Sequence, residues 1–207
     1  MNKLDRPREG FPGIWDSIVG PNMPATEMWL FVIPTLIATV AVPLYAVLNE
    51  LGWNLVQLTI AAILAFDLVG GAIVNSTQTT KRWHHKPEYR FKHHFLFVAI
   101  HLHPLIVAWL YPGGNWTYSL FAYSYLIFAT ALILLSPPYL QRAVSIILYM
   151  GSLLLSSYLL SPIPGMEWFL PVYFLKLLIS YLPQDIPTTL TYQTHQDDRR
   201  EALTNQL

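Results

Sequence analysis

Histidine is the residue type in this chain whose number and spacing point to chemistry. Six of the seven histidines lie between residues 82 and 104, and the chain contains no cysteine. The six are His84, His85, His93, His94, His101 and His103, and the seventh is His195. Imidazole binds zinc, copper, iron and nickel, and a ligand set without thiolates favours borderline metals with open coordination positions. The stretch therefore predicts a metal site, with iron favoured over zinc or copper.

Two other interpretations of these histidines stay open. Histidine titrates near neutral pH, so His101 and His103 would also serve, together with Asp67, as a proton relay that needs no metal. The pair His84 and His85 lies among basic residues, and such a group would form a collar that attracts anionic lipid headgroups. Those basic residues are Lys81, Arg82, Lys86, Arg90 and Lys92.

The composition predicts a membrane protein of the all-α class. Of the 207 residues 54% are hydrophobic and only 12% are charged, which is about half the usual charged share. Several uncharged stretches are long enough to cross a hydrocarbon core of about 30 Å. We predict a polytopic protein with six transmembrane helices, at residues 28–48, 53–76, 95–111, 116–135, 139–160 and 168–182. The last stretch is short and contains Lys176, so five helices plus a re-entrant segment is the alternative.

The basic residues predict the orientation and the domain organisation. Lysine and arginine accumulate in cytoplasmic loops, and here the loops after the first, third and fifth spans contain neither. With six spans, both termini and the histidine-rich loop are then cytoplasmic. The predicted parts are a cytoplasmic N-terminal tail (1–27), a transmembrane domain (28–183) with a histidine-rich cytoplasmic loop (77–94), and a cytoplasmic C-terminal tail (184–207).

Three ionisable residues are predicted to lie at one depth in the membrane. Counted from the cytoplasmic ends of their spans, Asp67 and His101 lie roughly 12 Å deep and Lys176 roughly 9 Å deep. Unpaired charges at such a depth are costly, so each of these residues is a functional-site hypothesis. We assign Asp67 and Lys176 as catalytic, the first as acid–base or ligand-orienting group and the second as its charge partner. The alternative is a structural ion pair between the two.

Helix geometry adds expectations about the neighbours of Asp67. Gly71 and Asn75 follow Asp67 at intervals of four residues, on one helical stripe. Asn75 is the predicted substrate-binding residue, and the glycines at 70 and 71 should let the third span approach closely. His101 and His103 are about 200° apart around a straight helix, but Pro104 should bend the helix at this point.

The histidine stretch resembles, in its chemistry, the histidine-box membrane enzymes, which are the fatty-acid desaturases and hydroxylases. The likeness covers residues 84 to 103 and implies iron bound at the cytoplasmic face. That family spaces its histidines as H-x-x-x-H and two H-x-x-H-H boxes in separate segments. Here the order is HH, seven residues, HH, six residues, H-L-H. We therefore use the resemblance as an analogy of chemistry and assign no membership.

These patterns favour a metal-dependent membrane enzyme with oxidase, hydroxylase or desaturase chemistry. Its partners would be the lipid bilayer, a lipid-soluble small-molecule substrate and an electron-donor protein, whereas a net charge of zero gives no general attraction to nucleic acid. One alternative is a proton- or metal-ion-coupled transporter that uses Asp67, His101, His103 and Lys176; another is a non-catalytic scaffold. A transporter needs polar residues beyond His103, where the sequence reads PLIVAWLY, so the enzyme is preferred.

Overall fold

A computed structural model describes residues 7–86, 89 and 91–184 of the protein. Within these residues 75% are helical and there is no strand. The helices are α1 (Phe11–Val19), α2 (Ala25–Leu48), α3 (Leu55–Val74), α4 (Gln78–His84), α5 (Phe91–Ala99), α6 (His103–Leu110), α7 (Trp116–Leu135), α8 (Pro138–Leu159) and α9 (Phe169–Phe174). A π-helical turn (Leu175–Tyr181) continues directly from α9, and the two together are called the final helix below.

Five helical stretches are long and apolar enough to cross a membrane. They are α2, α3, the α5–α6 stretch, α7 and α8. The predicted all-helical fold is thereby confirmed, and its long apolar helices are compatible with a multi-pass membrane protein. The final helix is also apolar, but it is shorter than these five. The number of crossings and the cytoplasmic placement of the termini stay predictions.

The final helix forms the centre of the bundle. It packs against α3, α7 and α8, and Phe169, Tyr173 and Leu177 in it are fully buried. A helix that is apolar all round is expected in such a position. The turn before it, at Gly165, touches the α2–α3 connection, whereas just beyond its end Lys81 of α4 donates a hydrogen bond of 3.0 Å to the Pro183 carbonyl. The final helix therefore connects the same two ends of the bundle as α3.

The expected packing of the glycines in α3 against the third span is wrong. Gly70 faces Thr35 of α2, and Gly71 faces Lys176 of the final helix. The third span, α5 and α6, packs on α7 instead. The prediction assumed a short loop after α3, but α4 lengthens this connection, and the final helix occupies the place beside α3.

The third span is broken rather than bent. α5 ends at Ala99 and α6 begins at His103, with Pro104 in its first turn, where the missing N–H costs nothing. Tyrosine hydroxyls satisfy the freed carbonyl groups. Tyr123 donates to the Ala99 carbonyl at 2.8 Å, and Tyr173 donates to the His101 carbonyl at 2.7 Å. Such an interruption is tolerated inside a membrane domain when neighbouring groups satisfy the backbone.

Two short helices lie outside the long ones. α1 falls within the region predicted as an N-terminal tail, and α4 falls within the predicted histidine-rich loop. The side chain of Thr77 caps α4 by accepting a hydrogen bond from the Thr80 amide, and α4 packs against α1. His195 and the rest of the C-terminal tail from residue 185 lie outside the described residues.

Candidate functional site

The core of the candidate site is an ion pair between α3 and the final helix. Lys176 Nζ lies 2.6 Å from Asp67 Oδ2, and the predicted pairing is thereby confirmed. The Lys176 side chain is 4% exposed and that of Asp67 is 42% exposed. A buried ammonium group needs a charged partner, and Asp67 supplies it. The carboxylate has a free side through which another molecule could reach it.

Gly71 makes this ion pair sterically feasible. A Cβ atom at residue 71 would lie 2.5 Å from Lys176 Cε and 2.9 Å from Lys176 Cδ. The aliphatic stem of Lys176 thus crosses α3 directly over the glycine, one helical turn after Asp67. A larger residue at this position would push the stem away from the carboxylate.

The π-helical turn brings Lys176 and Tyr181 toward the same side of the final helix. The two residues are five positions apart, and backbone hydrogen bonds in a π-helix join residues at this spacing. In an α-helix the same two residues would point roughly 140° apart. Here Lys176 reaches α3, while the Tyr181 hydroxyl lies 3.2 Å from His94 Nδ1 on α5.

His103 shares the carboxylate with Lys176. Its Nε2 lies 3.5 Å from Asp67 Oδ2, and its buried Nδ1 has no hydrogen-bond partner among the described residues. In neutral histidine one ring nitrogen donates and the other accepts. The 3.5 Å contact becomes an ion pair when the ring is protonated. Because no described residue bonds to Nδ1, neither ring nitrogen is fixed as the one that carries the proton of the neutral ring.

His101 completes this group, which we call the ion-pair site: Asp67, Lys176, His101 and His103. The His101 Nδ1–H donates to the Phe97 carbonyl at 2.7 Å, which leaves Nε2 as the acceptor. The rings of His101 and His103 are 5.3 Å apart. In a straight helix the two rings would point about 200° apart. They lie close together here because His101 precedes α6 and His103 begins it, so the two residues do not belong to one straight helix. The predicted common depth of Asp67, His101 and Lys176 agrees with this cluster.

A second group lies toward α4 and consists of His85, His94 and Tyr181. The His85 and His94 rings stack at 4.8 Å with 22° between their planes. His94 is 3% exposed, and its buried Nε2 has no hydrogen-bond partner in the part of the chain that the structure describes. Sequence reasoning missed Tyr181, because the spacing that directs it to His94 depends on the π-helical turn.

His84 and His85 join α4 to its neighbours. His84 Nε2 lies 2.9 Å from the Ile18 carbonyl of α1. The two ring nitrogens of His85 lie 3.1 Å and 3.4 Å from the carbonyls of Lys81 and Leu182. Burial lowers the pKa of both histidines below the ordinary value of 6.5, and the hydrogen bonds to carbonyl groups only partly oppose it. Both rings thus have partners within the protein.

The described residues contain no group of three or more histidine, aspartate or glutamate side chains placed to hold a metal ion. His93 is exposed beside Tyr89. Asn75 caps α3 in a buried position, eight residues or roughly 12 Å along the helix from Asp67. The predicted metal ligands therefore fall into separate groups, and metal binding and substrate binding by Asn75 stay predictions.

Beyond His103, the described part of the bundle is apolar. Val107, Ala122 and Phe169 are fully buried there. Polar side chains near that end are bonded to the backbone: Gln57 donates to the Leu110 carbonyl at 2.7 Å, and Tyr111 donates to the Gln57 carbonyl at 2.6 Å. The ion-pair site therefore has polar neighbours on the α4 side and an apolar core on the opposite side.

No known protein family, characterised protein or solved structure matches this chain. The fold and the site themselves define the class: an all-helical protein with five apolar helices of membrane-spanning length, one of which is joined to the final helix by the Asp67–Lys176 ion pair.

Proposed function

We propose that the protein is a membrane-embedded enzyme that performs acid–base chemistry on a lipid-soluble substrate. The observation that carries the proposal is the sharing of Asp67 Oδ2 by Lys176 Nζ at 2.6 Å and His103 Nε2 at 3.5 Å, on a carboxylate that is 42% exposed. Such a group has a base, a second proton carrier and a fixed positive charge within one small volume.

Each residue of the ion-pair site has a role in this proposal. Lys176 holds a positive charge against the carboxylate, so that Asp67 acts as the base that accepts a proton from the substrate. When the neutral His103 ring carries its own proton on Nδ1, it receives the proton of Asp67 at Nε2, which faces the same oxygen, and the protonated ring then returns it. The hydrogen bond from His101 to Phe97 keeps the second ring in one tautomer, with its Nε2 free to accept.

The surroundings of Asp67 favour an apolar substrate. Phe66 beside it is 47% exposed, and Leu102 beside His103 is 44% exposed. In a membrane, exposed side chains of this kind face lipid. A lipid-soluble molecule would therefore reach the carboxylate from the side, between α3 and α6.

The proposal is tested by solvent deuterium exchange. The protein, reconstituted in lipid vesicles, is incubated in D2O with an extract of lipid-soluble cell compounds, and mass spectrometry reports which compounds change in mass. We expect deuterium incorporation or a new product with the wild type, reduced about 100-fold or more in Asp67→Asn, the loss typical of a missing general base. Glu167→Gln, an exposed acid outside the site, is the matched control. Deuterium incorporation or product formation that persists in Asp67→Asn would refute the role of Asp67.

A metal-dependent oxidoreductase is the more specific form of the same proposal. Two observations favour a ligand among the histidines: within residues 7–86, 89 and 91–184, neither His94 Nε2 nor His103 Nδ1 has a hydrogen-bond partner, and both atoms are buried. Iron, zinc or copper bound there would be measured by elemental analysis of protein purified without a histidine tag. Stoichiometric metal that is lost in His94→Ala and His101→Ala supports the metal enzyme. Wild-type protein that is folded and metal-free rejects it and leaves the acid–base enzyme.

A proton-coupled transporter is the second candidate. The observation that favours it is the succession of titratable groups from α4 inward: His85 stacks on His94, and farther along the third span His101 lies beside His103, which faces Asp67. Vesicles with an internal pH dye distinguish the two functions. Substrate-driven acidification that Asp67→Asn abolishes supports transport, whereas product formation without proton flux supports the enzyme.

A further inference from the structure

Helix α1 has an apolar side that the described chain does not cover. Phe11 is 84% exposed, Ile14 61% and Ile18 58%. The three residues are spaced by three and four positions, so they lie along one side of the helix. With nine residues, α1 is far too short to cross a bilayer.

The remaining sides of α1 are fixed to the preceding chain and to α2. Asp16 is 2% exposed and accepts three hydrogen bonds from Arg8: from the backbone amide at 2.9 Å, from Nε at 2.8 Å and from the guanidinium NH2 group at 2.7 Å. Trp15 packs against Phe31 of α2, with the ring centres 5.8 Å apart. The orientation of α1 about its own axis is thereby set.

The end of α1 is fixed to α4. Its last three carbonyl groups, which have no partner within the helix, each lie within hydrogen-bond distance of an α4 side chain. The pairs are Ser17 with Trp83 Nε1 at 3.0 Å, Ile18 with His84 Nε2 at 2.9 Å, and Val19 with Thr80 Oγ1 at 2.6 Å. α1 is thus held at the end of the bundle where α3 ends.

We infer that α1 lies in the membrane interface, with Phe11, Ile14 and Ile18 inserted between the lipid headgroups and the acyl chains. The lipid of the surrounding membrane is the occupant because the apolar side of α1 adjoins an exposed apolar surface on a membrane-length helix. Only residues 20–24 separate α1 from α2, whose first turns expose Trp29 and Leu30 at 55% and 63%. Short amphipathic helices bind membranes in this way.

Apolar burial, rather than attraction to anionic lipid, drives this insertion. The only charged residue within α1 is Asp16, and the guanidinium of Arg8 is already paired with it. Interfacial helices that depend on anionic lipid carry clusters of lysine and arginine, which α1 lacks. Zwitterionic lipid should therefore be sufficient for α1 to insert.

The absence of cysteine from the chain permits a direct test with single labelling sites. Ile14→Cys is labelled with a fluorophore in full-length protein, one copy per lipid nanodisc, and exposed to brominated lipid or to aqueous iodide. Glu9→Cys, just before the helix at an exposed position, is the matched control, and Ile18→Cys is the second site in case Ile14→Cys does not fold.

Lipid-borne bromine should quench the label at residue 14 or 18, and iodide should not, with the reverse at residue 9. The result should be equal in zwitterionic nanodiscs and in nanodiscs with added anionic lipid. Quenching by iodide at residue 14 would overturn the inference. Protection from both quenchers would also overturn it, because another part of the chain would then cover α1. Lipid quenching that requires anionic lipid would refute the apolar mechanism.

Discussion

Lys176 Nζ donates a 2.6 Å hydrogen bond to Asp67 Oδ2 across 109 residues of sequence, and the two charges differ in their access to the surroundings. The ammonium side chain is 4% exposed, whereas the carboxylate side chain is 42% exposed. Removal of Asp67 is therefore not equivalent to removal of Lys176. Without Asp67 the remaining ammonium group is enclosed by protein, whereas without Lys176 the remaining carboxylate is partly exposed.

Asp67→Ala should destabilise the protein more than Lys176→Met. The first substitution leaves a buried ammonium without a partner, and a buried pair broken in this way costs roughly 3–5 kcal/mol. The second leaves a carboxylate that is already partly exposed. The double variant should recover much of the loss of Asp67→Ala. Thermal unfolding in mild detergent measures all three, and a larger loss for Lys176→Met would contradict the assigned burial.

Gly71→Ala should weaken the ion pair without altering any charge. The added methyl group would meet Lys176 Cε at 2.5 Å, so the lysine stem must move at a cost of about 1–3 kcal/mol. The same substitution in a Lys176→Ala background should cost much less, since the obstructing atoms are gone. A double-mutant cycle of unfolding free energies measures this coupling, and equal costs in both backgrounds would show that the stem does not cross Gly71.

Acidification should destabilise the protein through His84 and His85. Burial lowers the pKa of both in the folded state below the ordinary value of 6.5, so the unfolded chain binds more protons at acid pH. Their contribution to stability is complete above about pH 6.5 and is lost as the pH falls below that value through the folded pKa. Unfolding scans between pH 8 and pH 5 should show this decline, and His84→Gln with His85→Gln should flatten it. An unchanged slope in the double variant would assign the effect to other groups.

Tyr181→Phe should destabilise the group around His94. The hydroxyl lies 3.2 Å from His94 Nδ1, and His94 Nε2 has no hydrogen-bond partner among the described residues. The net loss of one hydrogen bond costs about 0.5–1.5 kcal/mol. Tyr158→Phe on α8 is the control, because that side chain is 84% exposed. Equal unfolding temperatures for the two variants would argue against the hydrogen bond.

The proximity of the ionisable residues was predictable from the sequence, but the helices that contact one another were not. Depth depends only on the rise per residue along each apolar stretch, so Asp67, His101 and Lys176 were placed in one layer before any packing was considered. Which helices touch depends on how side chains fit together, because lipid offers apolar side chains nearly the same environment as protein. For this reason Gly71 was assigned to the third span, although it faces the final helix.

Local irregularities were the other limit of the sequence analysis. The break before His103 is stabilised by hydroxyl groups of Tyr123 and Tyr173, which lie on other helices. α1 is likewise held by side chains of Trp83 and His84 that are 66 residues away from their acceptors. Interactions over such separations leave no pattern in the neighbouring sequence. For this reason Pro104 was predicted to bend the third span rather than to follow a break, and α1 was predicted to be part of the N-terminal tail.

The central position of the final helix has a consequence for the biosynthesis of the protein. A ribosome makes the five long helices before it makes this one, and chains generally fold from the N-terminal end during synthesis. Asp67 therefore stays without its countercharge until Lys176 has been translated. Nascent chains halted before residue 176 should depend on insertion chaperones, and this dependence should end once the final helix has been added.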